Sequence, residues 1–316
     1  MIKEQGILAG DIVSMTGWII YYRDSAVYNK NYIRFYLEEG KRLGIEIRLL
    51  LVEEMEFGVQ DGRYFLTHKG QEPEQPDFAI CRAIYPLLNR HLEAMGIRVF
   101  NNSMVSEICN DKARTYQYLA KTGIKMVDTR FCRNNQLDEV LNAAKEPVVI
   151  KAVDGHGGTQ VFLYQREQAS SGSVCEKKEF GEGISPASLI RTGIGSSDLV
   201  VQPLTGSRHQ DLRVYILGRE IIAAVLRTAK EGFKSNFSLG GEVSLYSLEQ
   251  EEIAIVDRIT SEFDFGLVGI DFIIGDEGEL IFNEIEDVVG SRMLYQCSDI
   301  NIVERYLNFI RSACLV

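Results

Sequence analysis

The sequence predicts an α/β protein that opens on a doubly wound parallel sheet and continues into mixed lobes. Three observations predict it. Helix-spaced segments alternate with short apolar runs through the first ~100 residues, the pattern of βαβ units. Further on, two pairs of apolar runs are joined by short polar turns, as antiparallel hairpins are. The length, 316 residues, is enough for two or three packed lobes with a substantial core.

In chain order, residues 31–42 (NYIRFYLEEGKR) carry apolar residues at helical spacing and stop before Gly44. Residues 45–52 (IEIRLLLV) read as a buried strand. FAICRAI (78–84) is a second strand, 87–95 a helix closed by Gly96, and IRVFNN (97–102) a third strand running into a loop. Residues 106–119 turn helical again. PVVIKAV (147–153) is a strand that runs into a glycine-rich loop. The stretch 165–197 is rich in Gly, Ser and Glu and predicts an interrupted helix with a mobile segment. DLVVQPL (198–204) is a buried strand. Residues 211–230 (DLRVYILGREIIAAVLRTAK) form a hairpin around LGRE, 248–263 an amphipathic helix, and LVGIDFII and ELIFNEIE a second hairpin around GDEG.

Composition excludes several classes of function. Hydrophobic residues make up 45% and charged residues 25%, ordinary for a globular protein. No run approaches the ~20 apolar residues that span a bilayer, and the start lacks the basic-then-apolar pattern of a secretory leader. A net charge of −11 disfavours a nucleic-acid-wrapping or membrane-coating face. The six cysteines are scattered without a CxxC pair, which predicts reduced thiols and a cytoplasmic setting rather than a disulfide framework or zinc site.

The second hairpin carries the densest chemistry. Asp271, Glu284 and Glu286 lie inside apolar strands, where an unpaired charge is expensive. Alternation puts Glu284 and Glu286 on one face. A turn with an even number of residues adds Asp271 to that face. Three such carboxylates suit Mg²⁺ or Mn²⁺, with phosphate completing the coordination; the same pattern, with Asp287, also fits a solvated acidic edge. The glycine loop is a second constellation. Lys151 ends a strand and Gly155, His156, Gly157 and Gly158 follow, so backbone N–H groups and a lysine point charge are available to a polyphosphate. A plain tight turn fits as well, and neither GxxxxGK[ST] nor GxGxxG is present.

Taken in order, these motifs resemble the ATP-grasp superfamily, and more narrowly its RimK-like branch of amino-acid ligases, over roughly residues 80–290. The resemblance implies an N-terminal Rossmann-like lobe over 1–103, a small lobe with the phosphate loop over 104–198, and a C-terminal lobe over 199–316, the last two gripping ATP. NDKARTYQYLAKTGI (110–124) is similar to the family's lysine-bearing helix, which puts Lys112 on nucleotide phosphates. By the same likeness Lys151 binds phosphate and residues 155–158 cover it. VVQPL resembles the strand that holds adenine through backbone hydrogen bonds, here Gln202, Pro203 and Leu204. DLRVYILGREIIAAVLRTAKEGFKSNFSLGG (211–241) resembles the branch's substrate stretch. Asp211 then orients a neighbour, Arg213 and Arg227 bind a carboxylate or the transferring phosphoryl group, and Lys230, Ser235 and Asn236 line the same site. Asp271, Glu284 and Glu286 match the magnesium residues, with one departure: the last is usually asparagine. The usual Ser-Pro-Gly is also replaced, by DVVGSRMLY, so Arg292 has no role to inherit; its place just after the metal strand suggests a substrate carboxylate.

The resemblance implies an ADP-forming carboxylate–amine ligase that uses ATP and Mg²⁺, with an ATP-dependent phosphotransferase on the same fold, or a non-catalytic nucleotide-binding module, as the alternatives. A carboxylate is a poor acyl donor; phosphorylation turns it into an acyl-phosphate that an amine attacks. Such chemistry needs alignment and charge neutralisation more than a protein nucleophile. The expected partners are a small-molecule or peptide carboxylate and an amine, one of them an amino acid, with a homo-oligomer (dimer or tetramer) implied by relatives. Ser25, Tyr28, Asn29, Arg82 and Tyr85 are further candidates, from their places near loop ends of the first lobe.

Overall fold

The computed structural model describes residues 15–158, 160–165, 185–207, 209–228 and 242–315. Two compact units divide the chain: Met1–Phe100 with Asn301–Val316, and Asn101–Ile300. In the first, β1 (Met15–Tyr21) leads through α1 (Arg23–Tyr28) and α2 (Lys30–Arg42) to β2 (Ile45–Leu51). A hairpin of β3 (Met55–Gln60) and β4 (Arg63–His68) follows, then β5 (Phe78–Cys81), α3 (Pro86–Ala94) and β6 (Arg98–Phe100). The four parallel strands run in the order β2-β1-β5-β6. β1 is therefore interior and the chain winds outward to both sides, the doubly wound pattern.

β1 and β5 are buried almost throughout, as central parallel strands are. Sequence patterning does not single out β1, because its apolar run Trp18–Tyr21 is too short to separate strand from buried helix by periodicity. The strand expected to be buried at 45–52 is instead an edge strand. Glu46, Arg48 and Leu49 are exposed there, and Arg48 pairs with Glu46 at 2.9 Å. The helix Ile302–Cys314 groups with this unit and buries the stripe Ile302, Val303, Tyr306, Leu307 and Ile310.

The second unit opens with α4 (Ser103–Cys109) and α5 (Lys112–Leu119). The single helical stretch expected at 106–119 breaks at Asn110–Asp111. The Asp111 carboxylate accepts the Arg114 N–H at 2.9 Å, an N-cap that starts a new helix instead of continuing the old one. Next come β7 (Arg130–Cys132), α6 (Leu137–Ala143), β8 (Val148–Ala152), β9 (Val161–Tyr164), α7 (Pro186–Ile194) and β10 (Leu199–Pro203). They form an antiparallel sheet β7-β10-β8-β9, with Leu137, Val140, Ile150, Ile190, Leu199 and Val201 in its core. In the irregular stretch, α7 is the helix expected; residues 166–184 lie outside the described set.

A second antiparallel sheet, β13-β12-β11-β14-β15, is built from β11 (Gln210–Leu217), β12 (Glu220–Thr228), β13 (Glu242–Tyr246), β14 (Leu267–Ile274) and β15 (Leu280–Glu286). The helix α8 (Gln250–Thr260) lies between β13 and β14 in the chain, and α9 (Arg292–Cys297) follows β15. Both expected hairpins are present, β11–β12 and β14–β15. Leu212, Val214, Ile216, Val268, Ile270 and Phe272 pack against Tyr116, Leu119, Val256 and Ile259 from α5 and α8. Two segments expected in the last lobe, 199–203 and 301–316, belong elsewhere. Leu199–Pro203 pairs within the four-stranded sheet, and Asn301–Val316 groups with the first unit.

One polar junction ties the start of the second unit to the ends of β14 and β15. Buried Asn101 donates from Nδ2 to Asp287 Oδ1 at 2.6 Å and to Leu267 O at 3.0 Å, and its Oδ1 accepts Gly266 N–H at 2.6 Å. Asn101→Ala removes one of the hydrogen bonds to the Asp287 carboxylate, which Asn110 still contacts at 2.8 Å, and takes the side-chain acceptor from the Gly266 N–H, and is expected to cost about 2 kcal/mol. Urea unfolding of the variant should show a lower midpoint, by that loss divided by an unchanged denaturant slope.

Candidate active site

The site begins with an irregularity in the β14–β15 ladder. Ile274 pairs with Leu280, Ile273 with Ile281 and Phe272 with Phe282, yet Asp271 pairs with Glu284. Asn283 is the extra residue of a β-bulge. Five residues, Gly275 to Glu279, separate the two strands. With that odd number, regular pairing would set Asp271 opposite Asn283 and turn Glu284 to the other face. The bulge brings Glu284 opposite Asp271, and Asn283 lines the same cavity as Glu284 and Glu286.

Across the neighbouring strands runs a row of alternating charges. β11 sets Arg213 opposite Asp271 of β14, and β12 sets Arg227 opposite Asp211. Arg213 donates from Nε to Asp271 Oδ1 and from Nη2 to Oδ2, each at 2.7 Å. Arg227 donates from Nη2 to Asp271 Oδ2 at 2.8 Å and to Asp211 Oδ2 at 2.6 Å, with Nε also bonded to Asp211 Oδ1. Glu286 closes the row as an ion pair with Arg213 Nη1. These bidentate contacts exploit the planar guanidinium fork. Gly269, opposite Glu286, leaves room for the Arg213 chain: a Cβ there would sit 3.3 Å from Arg213 Cδ and 2.8 Å from Val289 Cγ2.

Burial opposes the charge on Asp271, but Arg213 and Arg227 outweigh it and hold the carboxyl well below the usual range. Glu284 is also buried against ionisation, and Lys112, with help from Lys151 and Arg213, keeps it below its ordinary value despite Asp271 nearby. Glu286 goes the other way: burial, reinforced by Asp271 and Glu284, raises it against the pull of Arg213.

The other wall comes from the four-stranded sheet and α5. Lys112, in the first turn of α5, bonds Gly155 O through Nζ and lies 3.5 Å from Glu284 Oε2. Its own N–H donates to Val153 O at 2.8 Å, fastening the helix start to the glycine loop. Gly157 and Gly158 have φ of 64° and 73°, a region that disfavours side chains. Lys151 reaches across and donates to Asn283 Oδ1 at 2.8 Å. Burial lowers its pKa to about 8. Gln202 donates to Thr129 Oγ1 at 2.8 Å, which ties down its side chain. The β10 ladder with β7 ends at Val201, whereas the ladder with β8 continues to Pro203.

A cavity of about 280 Å³ gathers these groups. Of the residues expected from sequence, Lys112, Lys151, Gly155, Gly157, Gly158, Gln202, Pro203, Leu204, Asp211, Arg213, Arg227, Glu284, Glu286 and Arg292 line it. His156 sits in the loop with an exposed side chain, outside the cavity lining. Asp271 lies behind the arginines rather than on the cavity wall. Lys230, Ser235 and Asn236 lie outside the described residues. Sequence alone does not point to Asn283, because only the bulge turns it inward. Arg82, Ser25, Tyr28, Asn29 and Tyr85 belong to the first unit; there Arg82 bonds Tyr21 Oη at 3.3 Å and lies over the Tyr32 ring.

Among the described residues, no three of His, Cys, Asp and Glu converge as a ready metal site. The donors still fit Mg²⁺. Glu284 and Glu286 offer hard oxygens from part-exposed side chains on one cavity wall, and this ion takes one or two carboxylates together with waters and phosphate oxygens. No helix among these residues is long and apolar enough to cross a membrane.

Comparison with known proteins follows the same lines. The family model of the RimK-like ATP-grasp domain matches residues 109–310. A probable alpha-L-glutamate ligase of Legionella pneumophila (strain Corby) is 29% identical over 224 residues, 70% of this chain and 69% of that protein. One from Vibrio vulnificus (strain YJ016) is 26% identical over 282 residues, covering 86% and 89%. Among solved structures, a RimK domain ATP-grasp protein from Sphaerobacter thermophilus superposes with a TM-score of 0.66 at 14% identity, over 94% of this chain and 99% of that one. D-alanyl-alanine synthetase A from Vibrio cholerae gives 0.66 at 13% identity, over 96% and 99%; at such identities the likeness is one of fold. With the family model spanning well over half its length, this chain belongs to the RimK-like ATP-grasp family of ADP-forming carboxylate–amine ligases, enzymes that use ATP and Mg²⁺.

Proposed function

We propose that this enzyme joins a substrate carboxylate to the amine of an amino acid, glutamate being the first to test, through an acyl-phosphate. One observation carries the reading: Lys112, Lys151, Arg213, Arg227, Glu284 and Glu286 line a single cavity. The relatives named as probable alpha-L-glutamate ligases supply the choice of amino acid. The two sheets of the second unit are the lobes that grip the nucleotide. The adenine edge lies against the β10 backbone past Val201, where the β7 ladder has stopped. Lys112, Lys151 and the loop N–H groups hold the phosphates. Glu284 and Glu286 hold Mg²⁺, which when bound neutralises phosphate charge.

The remaining steps belong to side chains. Arg213 and Arg227 draw the substrate carboxylate into line with the terminal phosphate, and their charge offsets that of the transferring group and of the oxyanion formed on amine attack. The family likeness assigns Lys230, Ser235 and Asn236 to the same substrate. Arg292 binds a second substrate carboxylate, a role supported by its place in the cavity lining. The glycine loop shields the acyl-phosphate from water. A cytoplasmic setting, read from the scattered cysteines, and a homo-oligomer, read from the resemblance, complete the proposal; light scattering of the purified protein tests the assembly.

The decisive experiment is ADP release across pairs of carboxylates and amino acids, with mass analysis of the product. ADP and phosphate should appear only when both substrates are present; a stable phosphorylated product from the carboxylate alone would overturn ligation. Glu284→Ala should lower kcat by at least about a hundredfold while leaving thermal unfolding close to wild type. Near-normal turnover would remove Glu284 from metal binding. Arg227→Lys keeps the charge but cannot bridge Asp211 and Asp271, so kcat/KM should drop at least about tenfold; unchanged kinetics would remove Arg227 from the substrate site.

Lys151 allows a pH test. Its pKa in the free protein is lowered to about 8, and polyphosphate binds the protonated form. Raising the pH from about 7 to about 9 should therefore weaken Mg-ADP binding roughly tenfold, with proton uptake on binding. Calorimetry in buffers of different ionisation enthalpy reads both quantities, and Lys151→Arg should flatten the dependence.

A further inference from the structure

Glu286 is held differently from the carboxylates around it. The Asp271 side chain is 2% exposed and Glu286 38%. Glu286 Oε2 lies against Arg213 Nη1 as an ion pair, yet no hydrogen-bond geometry satisfies that oxygen. Arg213 is fixed, because Nε and Nη2 both donate to buried Asp271. Among the described residues, Glu286 Oε2 has no hydrogen bond to hold it in place. The guanidinium edge it covers belongs to a residue that lines the cavity.

We propose that Glu286 is a resident anion on Arg213 which the Mg-nucleotide draws away, so that carboxylate or phosphoryl oxygens reach Arg213 only after nucleotide has bound. The proposal rests on the reading of Glu284 and Glu286 as the metal-binding pair. These two residues share a strand face two positions apart, about 6.6 Å between Cα atoms, so both side chains reach a common cation. In the free protein, an incoming anion meets like charge from Glu286 and a guanidinium whose open edge is taken. With a divalent cation beside Glu284, Glu286 acquires a harder and more highly charged partner. Its departure leaves Arg213 Nη1 to the substrate. The consequence is an order of binding, nucleotide before acid, with small anions excluded from the empty site.

Inorganic phosphate is a suitable probe, followed by calorimetry on the full chain without metal or nucleotide. Glu286→Gln should bind phosphate at least about tenfold tighter than wild type, the effect of opening one charge-assisted hydrogen bond from Arg213 to the anion. Glu284→Gln removes the same charge without touching Arg213 and should tighten binding by less than about threefold. Equal tightening in the two variants would reduce the effect to general electrostatics and overturn the proposal, as would no tightening in Glu286→Gln. Saturating Mg-ADP should then bring wild type and Glu286→Gln within about twofold of each other; a gap that persists overturns the displacement step. The affinity for Mg-ADP, measured separately, tests the metal reading itself. If Glu286→Gln binds phosphate more tightly but holds Mg-ADP as wild type does, the resident anion stands and the metal role of Glu286 falls. Glu286→Asn, which also removes the charge, repeats the comparison should the glutamine variant fail to fold.

Discussion

Two guanidinium groups meeting on one buried carboxylate organise this site. Asp271 accepts three hydrogen bonds from Arg213 and Arg227, and all three residues are almost wholly buried. Desolvating those ions separately would cost several kcal/mol each. They are tolerable because every charge has an opposite neighbour in close contact, from Asp211 through Arg227, Asp271 and Arg213 to Glu286. Strand register makes the row possible. Arg213 pairs with Asp271, and Asp211 with Arg227, as direct cross-strand neighbours on one face. A one-residue slip in any of these ladders would bury unpaired charges and turn apolar residues to the cavity, so the network also specifies the register.

The bulge at Asn283 joins that network to the lysine-bearing wall of the cavity. It keeps Asp271 and Glu284 in one cross-strand pair despite an odd turn, and it frees Asn283 to hold the Lys151 ammonium. Lys151 comes from the four-stranded sheet and Glu284 from the five-stranded one. Lys112, carried by α5, approaches Glu284 and bonds Gly155 as well. Around Asn283 and Glu284, the two walls are therefore linked through cationic side chains. A polyphosphate entering here would replace neutral or singly charged acceptors with a more highly charged one, without requiring new strand pairing.

Much of this is legible in the sequence because local chemistry and fold demand agree. The acidic residues of LVGIDFII and ELIFNEIE stand out against apolar strands, and the run 211–227 carries its arginines and aspartate at fixed strand positions. Order and spacing along the chain add the family. What escapes depends on tertiary context. Residues 45–51 are apolar enough for a central strand but lie at the sheet edge, which only strand order decides. The helix expected at 106–119 divides because Asp111 prefers the cap, a local competition that periodicity alone does not see. Strict alternation along β15 would separate Asn283 from Glu284 and Glu286, and no residue in its vicinity announces a bulge. The closing helix carries a clear apolar stripe, but which sheet it covers depends on long-range packing.

Three carboxylates that look alike in sequence take separate roles for the same physical reason. A residue whose oxygens already accept three guanidinium N–H groups has little capacity left for a cation; it orients the arginines. Glu284 and Glu286 keep part of their surface open to the cavity and have weaker, single-point partners. Catalysis by charge neutralisation needs both kinds of group: fixed dipoles and charges that require no reorganisation as charge develops, and exchangeable ones that admit the metal and nucleotide. Burial decides the division. Deep in the sheet, where an unpaired ion is most costly, the charges are mutually locked; at the cavity surface, where solvent and ligand can substitute for a partner, they are free to change hands.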